Sequence, residues 1–520
     1  MTRSFDSLVI GGGASGLVAA IGLAQRGSKV LLLEASAELG GSFREIEFAP
    51  GFRASPLHAD VGHLAPEVVR ALGSALPAAE AASDRGVVSL SEGEPLLIWS
   101  TVDQTAEGLK RFSAKDAQRW PEFAGRMHVL ADFLEALYRA PAPRIDVDTA
   151  GEVIQLAKLG RKYRSLGKTN MVELLRTLPM AVADLLDDWF ESDRLKGTLA
   201  ALGVMDVCHG PISGGTAFTF LHRHVGARPG VFNERLRLKG GLGALITALA
   251  DRARSVGVAL ETGTAVQRIL VRDGKVAGVA LASGEEIHAR TVVSSLDPYR
   301  SLLELVDPMY LDPDFVHAVS HIRFRGVTSK VLVALDGLPE VPGASGSLTG
   351  SVIIAPSIKY VERAYDATKY GRASDDPFIE VRFPSVSQPG LAPAGKHVAV
   401  LHVQYTPYRL REGSWGQRGA AVAERAIKLV DQHIPGFASR VLTHAIVTPA
   451  DMESHFGLRE GAISQGEMML DQILFMRPVP GAAHYAMPVE GLYLCGAGTH
   501  PGHGMTGLSG WLAAQAAVGR

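Results

Sequence analysis

The chain opens on an abrupt alternation of apolar and permissive segments. Leu8-Val9-Ile10 stops at Gly11-Gly12-Gly13-Ala14-Ser15-Gly16. From Ala14 to Arg26 apolar positions recur at helical spacing, and Gly27 stands where a helix C-terminal glycine belongs. Lys29-Val-Leu-Leu-Leu-Glu34 then reads as a buried strand that closes on an acid. Strand, G-x-G-x-x-G turn, helix and acid-terminated strand together describe a pocket for the ADP half of a dinucleotide. Gly11 permits the tight turn, Gly13 lets the backbone approach a pyrophosphate, and Gly16 lets the helix lie close to the strand. The helix points its positive end at the phosphates. Glu34, 18 residues after Gly16, has the spacing of the carboxylate that holds the ribose hydroxyls.

A second glycine pair, Gly40-Gly41, follows soon after the acid and precedes Ser42-Phe43-Arg44. NAD-dependent dehydrogenases have no general need for it, whereas a flavoprotein of the glutathione-reductase type uses such a pair to run past pyrophosphate and ribityl. FAD is therefore favoured over NAD, with a plain turn as the competing reading.

Further along, Lys239-Gly240-Gly241-Leu242-Gly243-Ala244-Leu245 opens a helix to about Ser255. Val258–Glu261, Ala265–Val271, Lys275–Leu281 and Thr291–Ser295 follow as strands, with turns at Asp273-Gly274 and Ser283-Gly284. No acid-terminated strand follows Gly240-Gly241 at the right distance, so these glycines read as a helix-opening loop. Val61–Leu238 is patterned mainly as helices. Within it, Val153–Phe190 carries Lys158, Arg161, Lys162, Arg164, Lys168 and Arg176 on one side. A solvated face is the simpler reading, because Gly160 and Gly167 interrupt the pattern; an amphipathic element in peripheral contact with a membrane is the other. From Pro298 to Pro488, strand-like segments at Val327–Leu335, Ser351–Ala355, Phe378–Phe383 and His397–Tyr405, then a helix Gly416–His433, predict an antiparallel sheet roofing a pocket. The predicted fold class is α/β: a Rossmann-like FAD-binding domain from residues 1–60, 239–297 and 489–520, interleaved with an α+β substrate domain from residues 61–238 and 298–488.

Composition narrows the classes. With 52 Lys+Arg against 54 Asp+Glu the net charge is −2, which gives no bulk electrostatic case for nucleic acid. Apolar residues make up 47%, and the mean hydropathy is +0.13. No apolar run approaches a membrane span of about 18 residues. The first strand starts within a few residues of Met1, so no signal peptide is expected. Cys208 and Cys495 are too far apart for a C-x-x-C redox pair. Both read as core residues in a reducing compartment, and a cytoplasmic location is expected.

Near the end, Gly491-Leu-Tyr-Leu-Cys495 runs into Gly496-Ala497-Gly498-Thr499-His500-Pro501-Gly502-His503-Gly504, and a helix follows from about Leu508. This strand, glycine turn and helix leave backbone N–H groups free to face the ribityl chain or the N1–C2 carbonyl edge of a flavin. The stretch resembles the C-terminal signature of the bacterial-type phytoene desaturase (carotenoid desaturase-like) family of FAD-dependent oxidoreductases. The N-terminal turn with Glu34, Gly40 and Gly41 and the Lys239–Leu245 helix start are similar to the same family. Gln404–Tyr408, Pro435–Phe437, Thr448–Asp451, Asp471-Gln472 and Arg477–Pro480 resemble the branch of pyridine nucleotide-disulphide oxidoreductase domain-containing protein 2. The resemblance spans nearly the whole chain and is weaker between about Val87 and Leu159.

That resemblance implies a two-domain fold of the flavin amine oxidase type. It implies FAD contacts by Gly11, Gly13, Ala14, Ser15, Gly16, Glu34, Ala35, Gly41 and Ser42, by the Val266 backbone at the adenine, and by Gly498 at the flavin. Gly40, Gly496 and Met505, on the same turns, complete the expected set. Two positions depart from the family: Ala497 stands where related amine oxidases carry an acid, and Ser42 where many relatives carry arginine.

The implied chemistry is desaturation of a C–C bond in an apolar substrate (an isoprenoid, an acyl chain or an alicyclic ring) by hydride transfer to the flavin. Positioning dominates such chemistry. His500 and His503 are candidate catalytic residues on the glycine loop; the segment Pro50-Gly-Phe52 with His58 and Asp60 is expected to reach the pocket, and His58 is a third candidate. His500-x-x-His503 lacks a third metal ligand nearby, so no metal is expected. Only one complete dinucleotide unit is present, so reduced flavin is expected to pass electrons to oxygen, a quinone or another acceptor rather than to exchange with NADPH. A flavin amine oxidase and an FAD-containing scaffold without turnover are the alternatives.

Overall fold

Five short strands from the length of the chain form one parallel sheet, in the order Leu492–Leu494, Thr291–Ser294, Ser7–Ile10, Val30–Leu33, Ala259–Glu261. In this computed structural model, which describes residues 3–80, 85–91, 93–143, 150–233, 235–344 and 348–519, three of these strands are wholly buried. Parallel strands covered on both faces are apolar at every position, which is why they read as unbroken runs. The helix Ala14–Ala24 packs against the C-terminal helix Leu508–Val518. A methyl group on Gly510 would sit 2.0 Å from the Ser15 carbonyl oxygen, and one on Gly22 2.8 Å from Ala514 Cβ. These two glycines let the first and last helices cross closely. A small sheet of Val266–Arg272, Lys275–Leu281 and Glu286–His288, with Arg3–Ser4 on its edge, forms the meander.

The second large sheet has seven strands, in the order Val441–Val447, Thr328–Leu335, His397–Gln404, Ile379–Arg382, Ser351–Ile354, Arg85–Leu90, Leu96–Trp99. It is antiparallel except where Ser351–Ile354 runs parallel to Arg85–Leu90. Alternation gives the central strands two distinct faces. Val331, Val333, Ile379, Val381, Ala399, Leu401 and Val403 pack under the helix Trp415–His433 through Ala423, Ala426, Ile427 and Val430. The opposite face carries Lys330, Glu380, Arg382 and His402.

The hairpin of Arg85–Leu90 and Leu96–Trp99 lies inside the block expected to be mainly helical. Its run Val87–Leu90 is short, and its parallel partner Ser351–Ile354 is remote in sequence, so no local pattern marks the pairing. Among the described residues, the rest of that block is mainly helical around a cluster of Trp120, Phe123, Phe190, Phe220 and Phe232. Ring centroids there are 4.7 Å (Trp120–Phe232) and 4.9 Å (Phe123–Phe190) apart, each such pair adding about 0.5–1.5 kcal/mol beyond area burial. Val153–Phe190 falls into helices Ala150–Ser165, Gly167–Thr177 and Val182–Trp189, the first break set by Gly167 at φ +76°. Among the described residues, no helix is long and apolar enough to cross a membrane.

Candidate active site

The two N-terminal glycine turns interlock. Gly11 adopts φ +98°, and a methyl group on Gly16 would lie 2.0 Å from the Gly11 carbonyl oxygen. Gly40 N–H donates to Gly12 O (2.9 Å), Gly13 and Gly40 form a bridge, and a Cβ on Gly41 would meet Gly13 Cα at 3.3 Å. Gly13 itself is open, the nearest atom to its virtual Cβ being Gly41 Cα at 4.0 Å. Glu34 Oε2 accepts from Gly12 N–H (2.6 Å) and Oε1 from Ser36 N–H (2.8 Å). Each oxygen keeps a lone pair for a ribose hydroxyl.

A cavity of about 560 Å³ runs from this turn, past Gly40–Ser42, to the Gly502–Gly507 segment and the inner face of the seven-stranded sheet. The helix Ala14–Ala24 opens onto it with no side-chain cap at Gly13, leaving its first N–H groups for an anion. An uncapped helix N-terminus, a glycine with room beside it and a carboxylate facing the same cavity fit the pyrophosphate and ribose of FAD.

The sequence candidates separate in space. Gly11, Gly13, Ala14, Ser15, Glu34, Ala35, Gly40, Gly41, Ser42, Gly496, Met505, His58 and His503 line the cavity. Gly16 lies beneath the turn as a packing contact. Val266 does not reach the cavity; two residues before it, Thr264 N–H donates to Glu34 O (2.8 Å). Gly498 is also off the cavity, packed on Pro298, with its N–H donating to Gln465 Oε1 (3.0 Å). His500 is turned away into the helical block, where Nε2 pairs with the Ala140 carbonyl (3.0 Å) and the ring packs on Tyr138. Its fully buried ring holds a loop in place. Ser42 pairs with His58 Nε2 (3.0 Å). Ala497 lines the cavity, its carbonyl held by buried Arg477, which also donates to the carbonyls of Ser464, Gly466, Glu467 and Gln472. Arg477 thus pins the turn after Cys495 to the 464–472 loop.

The far end of the cavity is charged, which no sequence pattern announced. Lys330, His402 and Glu380 lie side by side on three adjacent strands. Lys330 Nζ donates to His402 Nδ1 (2.6 Å), so His402 carries its proton on Nε2 and donates to Gln404 Oε1 (3.0 Å). Asp60 accepts from Arg235 (2.9 Å) and Gly62 N–H (2.9 Å) and lies 3.5 Å from Arg382, which donates to Glu380 (2.7 Å). Burial alone would raise the Asp60 carboxyl, but the Arg235 and Arg382 guanidiniums outweigh it and hold it well below the usual carboxylate range. Asp206 is held low in the same way by Lys330 and His402 against burial. Burial, aided by Lys330, pushes His58 and His402 down to about 4. Burial and the neighbouring His58 take His503 down to about 3. His58 and His503 stack at 5.3 Å and are neutral at pH 7. The one available signal for this chamber was polar residues at alternate positions of otherwise apolar strands, as in Glu380-Val-Arg382 and His402-Val-Gln404. In an antiparallel sheet that pattern more often marks a solvated face.

Residues 14–342 match the family described as flavin containing amine oxidoreductase. The chain is 33% identical over 540 residues to the rat pyridine nucleotide-disulfide oxidoreductase domain-containing protein 2, covering 98% of this chain and 93% of the rat protein. It is 23% identical over 533 residues to a phytoene desaturase (lycopene-forming) of Paracoccus sp., covering 98% and 96%. The structure of putrescine oxidase bound to putrescine superposes with a TM-score of 0.60 at 14% identity, covering 100% of both chains, a likeness of fold. The chain therefore belongs to the flavin-containing amine oxidoreductase family and is an FAD-dependent oxidoreductase.

Proposed function

We propose that the protein is a dehydrogenase that desaturates a C–C bond of a small, largely hydrocarbon substrate held between the Gly502–Gly507 segment and the inner face of the seven-stranded sheet. The carrying observation is one continuous cavity joining the uncapped helix at Gly13 to that chamber. FAD supplies a two-electron acceptor for carbon-bound hydrogen. The chain's own residues bind and orient. Gly13 and the first turn of the Ala14–Ala24 helix hold the pyrophosphate, and Glu34 holds the ribose. Neutral His503, beside His58, presents one donor and one acceptor nitrogen. Its low proton affinity suits orientation of the substrate more than proton removal. The phytoene desaturase relative supports the desaturase reading. Amine oxidation lacks its usual cation cage: among the described residues lining the cavity, the phenylalanine, tyrosine and tryptophan side chains are Phe43 and Phe456, and the chamber presents cations.

The test is anaerobic. The purified holoenzyme should lose its visible flavin band on mixing with a desaturable isoprenoid, acyl or alicyclic compound and recover it with oxygen or a quinone. NADPH should leave the band unchanged, because the chain has a single complete dinucleotide unit. Rapid bleaching by NADPH, or by amines alone, would overturn the reading.

A further inference from the structure

The chamber holds an unbalanced charge. Arg223, Arg235, Lys330 and Arg382 face it with Asp60, Asp206 and Glu380. Asp60 is matched by Arg235, and Glu380 by Arg382. Asp206 accepts from the Thr328 hydroxyl (3.1 Å), lies 3.9 Å from His402 Nδ1 and feels the Lys330 charge. Arg223 is left over. Among the described residues it makes no ion pair or side-chain hydrogen bond within bonding distance, and its Nε is buried without a partner. Arg44 and Arg300 also line the cavity but stand elsewhere, beside Ser36 and Gly457.

Arg223 lines both the main cavity and a side pocket of about 60 Å³, as do Asp206, Arg235, His503 and Met505. Burial and Arg235 lower it to about 10, against the pull of Glu380, Asp60 and Asp206, so it stays cationic at pH 7. A half-buried guanidinium with its Nε shut off from water and no counter-ion carries a desolvation cost. A ligand that supplies the missing charge accounts for it. Away from Arg223, a second pocket of about 80 Å³ has Leu57, Leu242, Phe383 and Leu391 on its apolar wall, with Lys330, Glu380, Arg382 and Arg237 also lining it.

We infer that the substrate is an amphipathic monocarboxylic acid, its carboxylate received by Arg223 and its carbon chain lying toward the Leu57–Phe383 pocket. Burial lowers Lys330 against the pull of Asp206 and Glu380; counted as an ammonium, it leaves a surplus of one positive charge, which matches a carboxylate, whereas a phosphate monoester, near −2, would overshoot it. The planar fork of arginine suits a carboxylate's two oxygens. The cofactor's pyrophosphate is not the intended partner, because its cradle at Gly13 lies at the other end of the cavity. The inference rests on the dehydrogenase reading above and narrows its substrate class.

Octanoate, octanamide and octylamine titrated into oxidised holoenzyme, with the flavin spectrum and calorimetry as readouts, decide it. Octanoate should bind saturably, and octanamide and octylamine at least about tenfold more weakly. Arg223→Gln should raise the octanoate dissociation constant at least about tenfold and erase the preference over octanamide, with FAD content retained and the melting temperature unchanged or higher, since no ion pair is lost and an unpaired charge is removed. Arg223→Lys should keep part of the preference. No octanoate binding, equal binding of octanamide or octylamine, an unchanged constant in Arg223→Gln, or loss of FAD from that variant would each overturn the inference. If Arg223→Gln does not fold, the three-ligand comparison on the native protein still decides. A protein that takes up no FAD would instead sink the dehydrogenase reading, and calorimetry, which needs no flavin, would still judge the carboxylate site.

Discussion

Gly13→Ala and Gly16→Ala make a paired test of the cofactor cradle, because the two glycines are needed for different reasons. A Cβ at Gly16 would sit 2.0 Å from the Gly11 carbonyl oxygen and 3.1 Å from Ser295 Oγ. Its principal obstacle is backbone, which has no rotamer to move into. Overpacking costs about 1–3 kcal/mol, and this site belongs at the top of that range, or about 3 °C in the melting temperature of a chain this long. Gly13 has φ −74° and ψ 173°, which alanine adopts freely, and its Cβ would meet only Gly41 Cα at 4.0 Å. Apo Gly13→Ala should therefore melt where the native apoprotein does, or slightly higher, by up to about 1 kcal/mol from a less flexible unfolded chain. The new methyl group occupies the space through which a pyrophosphate approaches. Losing two charge-assisted hydrogen bonds of about 1.5 kcal/mol each amounts to about 3 kcal/mol, or about a 100-fold rise in the FAD dissociation constant. The assay is FAD titration by flavin fluorescence quenching, with melting curves of apo and FAD-saturated protein. Native FAD affinity in Gly13→Ala, or native apo stability in Gly16→Ala, would refute the assignment of the two roles.

Asp60→Asn should destabilise by about 3–5 kcal/mol at pH 7, because Arg235 and Arg382 lose a buried counter-charge. The Asp60 carboxyl lies below its unfolded value, so its contribution is complete above about pH 4–5 and lost as pH falls further; melting temperatures should converge with the native protein in acid. His58 and His503 are also depressed, but as bases: below about pH 6.5 the unfolded chain takes up protons that the folded one refuses. Native stability should therefore fall from pH 6.5 toward pH 4, and His503→Gln should flatten that slope in a melting series; an unchanged slope would remove His503 from the buried neutral set. Arg477→Met should leave the carbonyls of Ser464, Gly466 and Ala497 unsatisfied. A loss of about 3 kcal/mol or more is expected, with weakened FAD retention by gel filtration; full retention of both would show that the pinned turn does not shape the flavin end.

The strand, glycine turn and helix of the proposed cofactor cradle were legible in the sequence because their logic is local. Gly11, Gly13, Gly16 and Glu34 lie within one strand–helix–strand unit, where spacing alone dictates which atoms meet. The Gly40-Gly41 pair, the Thr291–Ser294 strand and the Leu508–Val518 helix were readable for the same reason, each carrying its own glycine or apolar signal. The chamber was not legible. Asp60 was expected at the pocket with His58, but Asp206, Arg223, Arg235, Lys330, Glu380, Arg382 and His402 come from separate segments, and each alone has the look of an ordinary solvated position. His500 shows the same limit at short range, since a glycine turn that exposes His503 rotates His500 into the helical block. Sequence by itself thus determined that FAD is the cofactor and that a strand, glycine turn and helix with Glu34 beside it stand at the start of the chain, since hydrogen-bond and steric demands act there over a few residues. Only the tertiary structure decided that the far end of the cavity is charged, because burial and net charge are sums over segments that meet nowhere but in the folded chain.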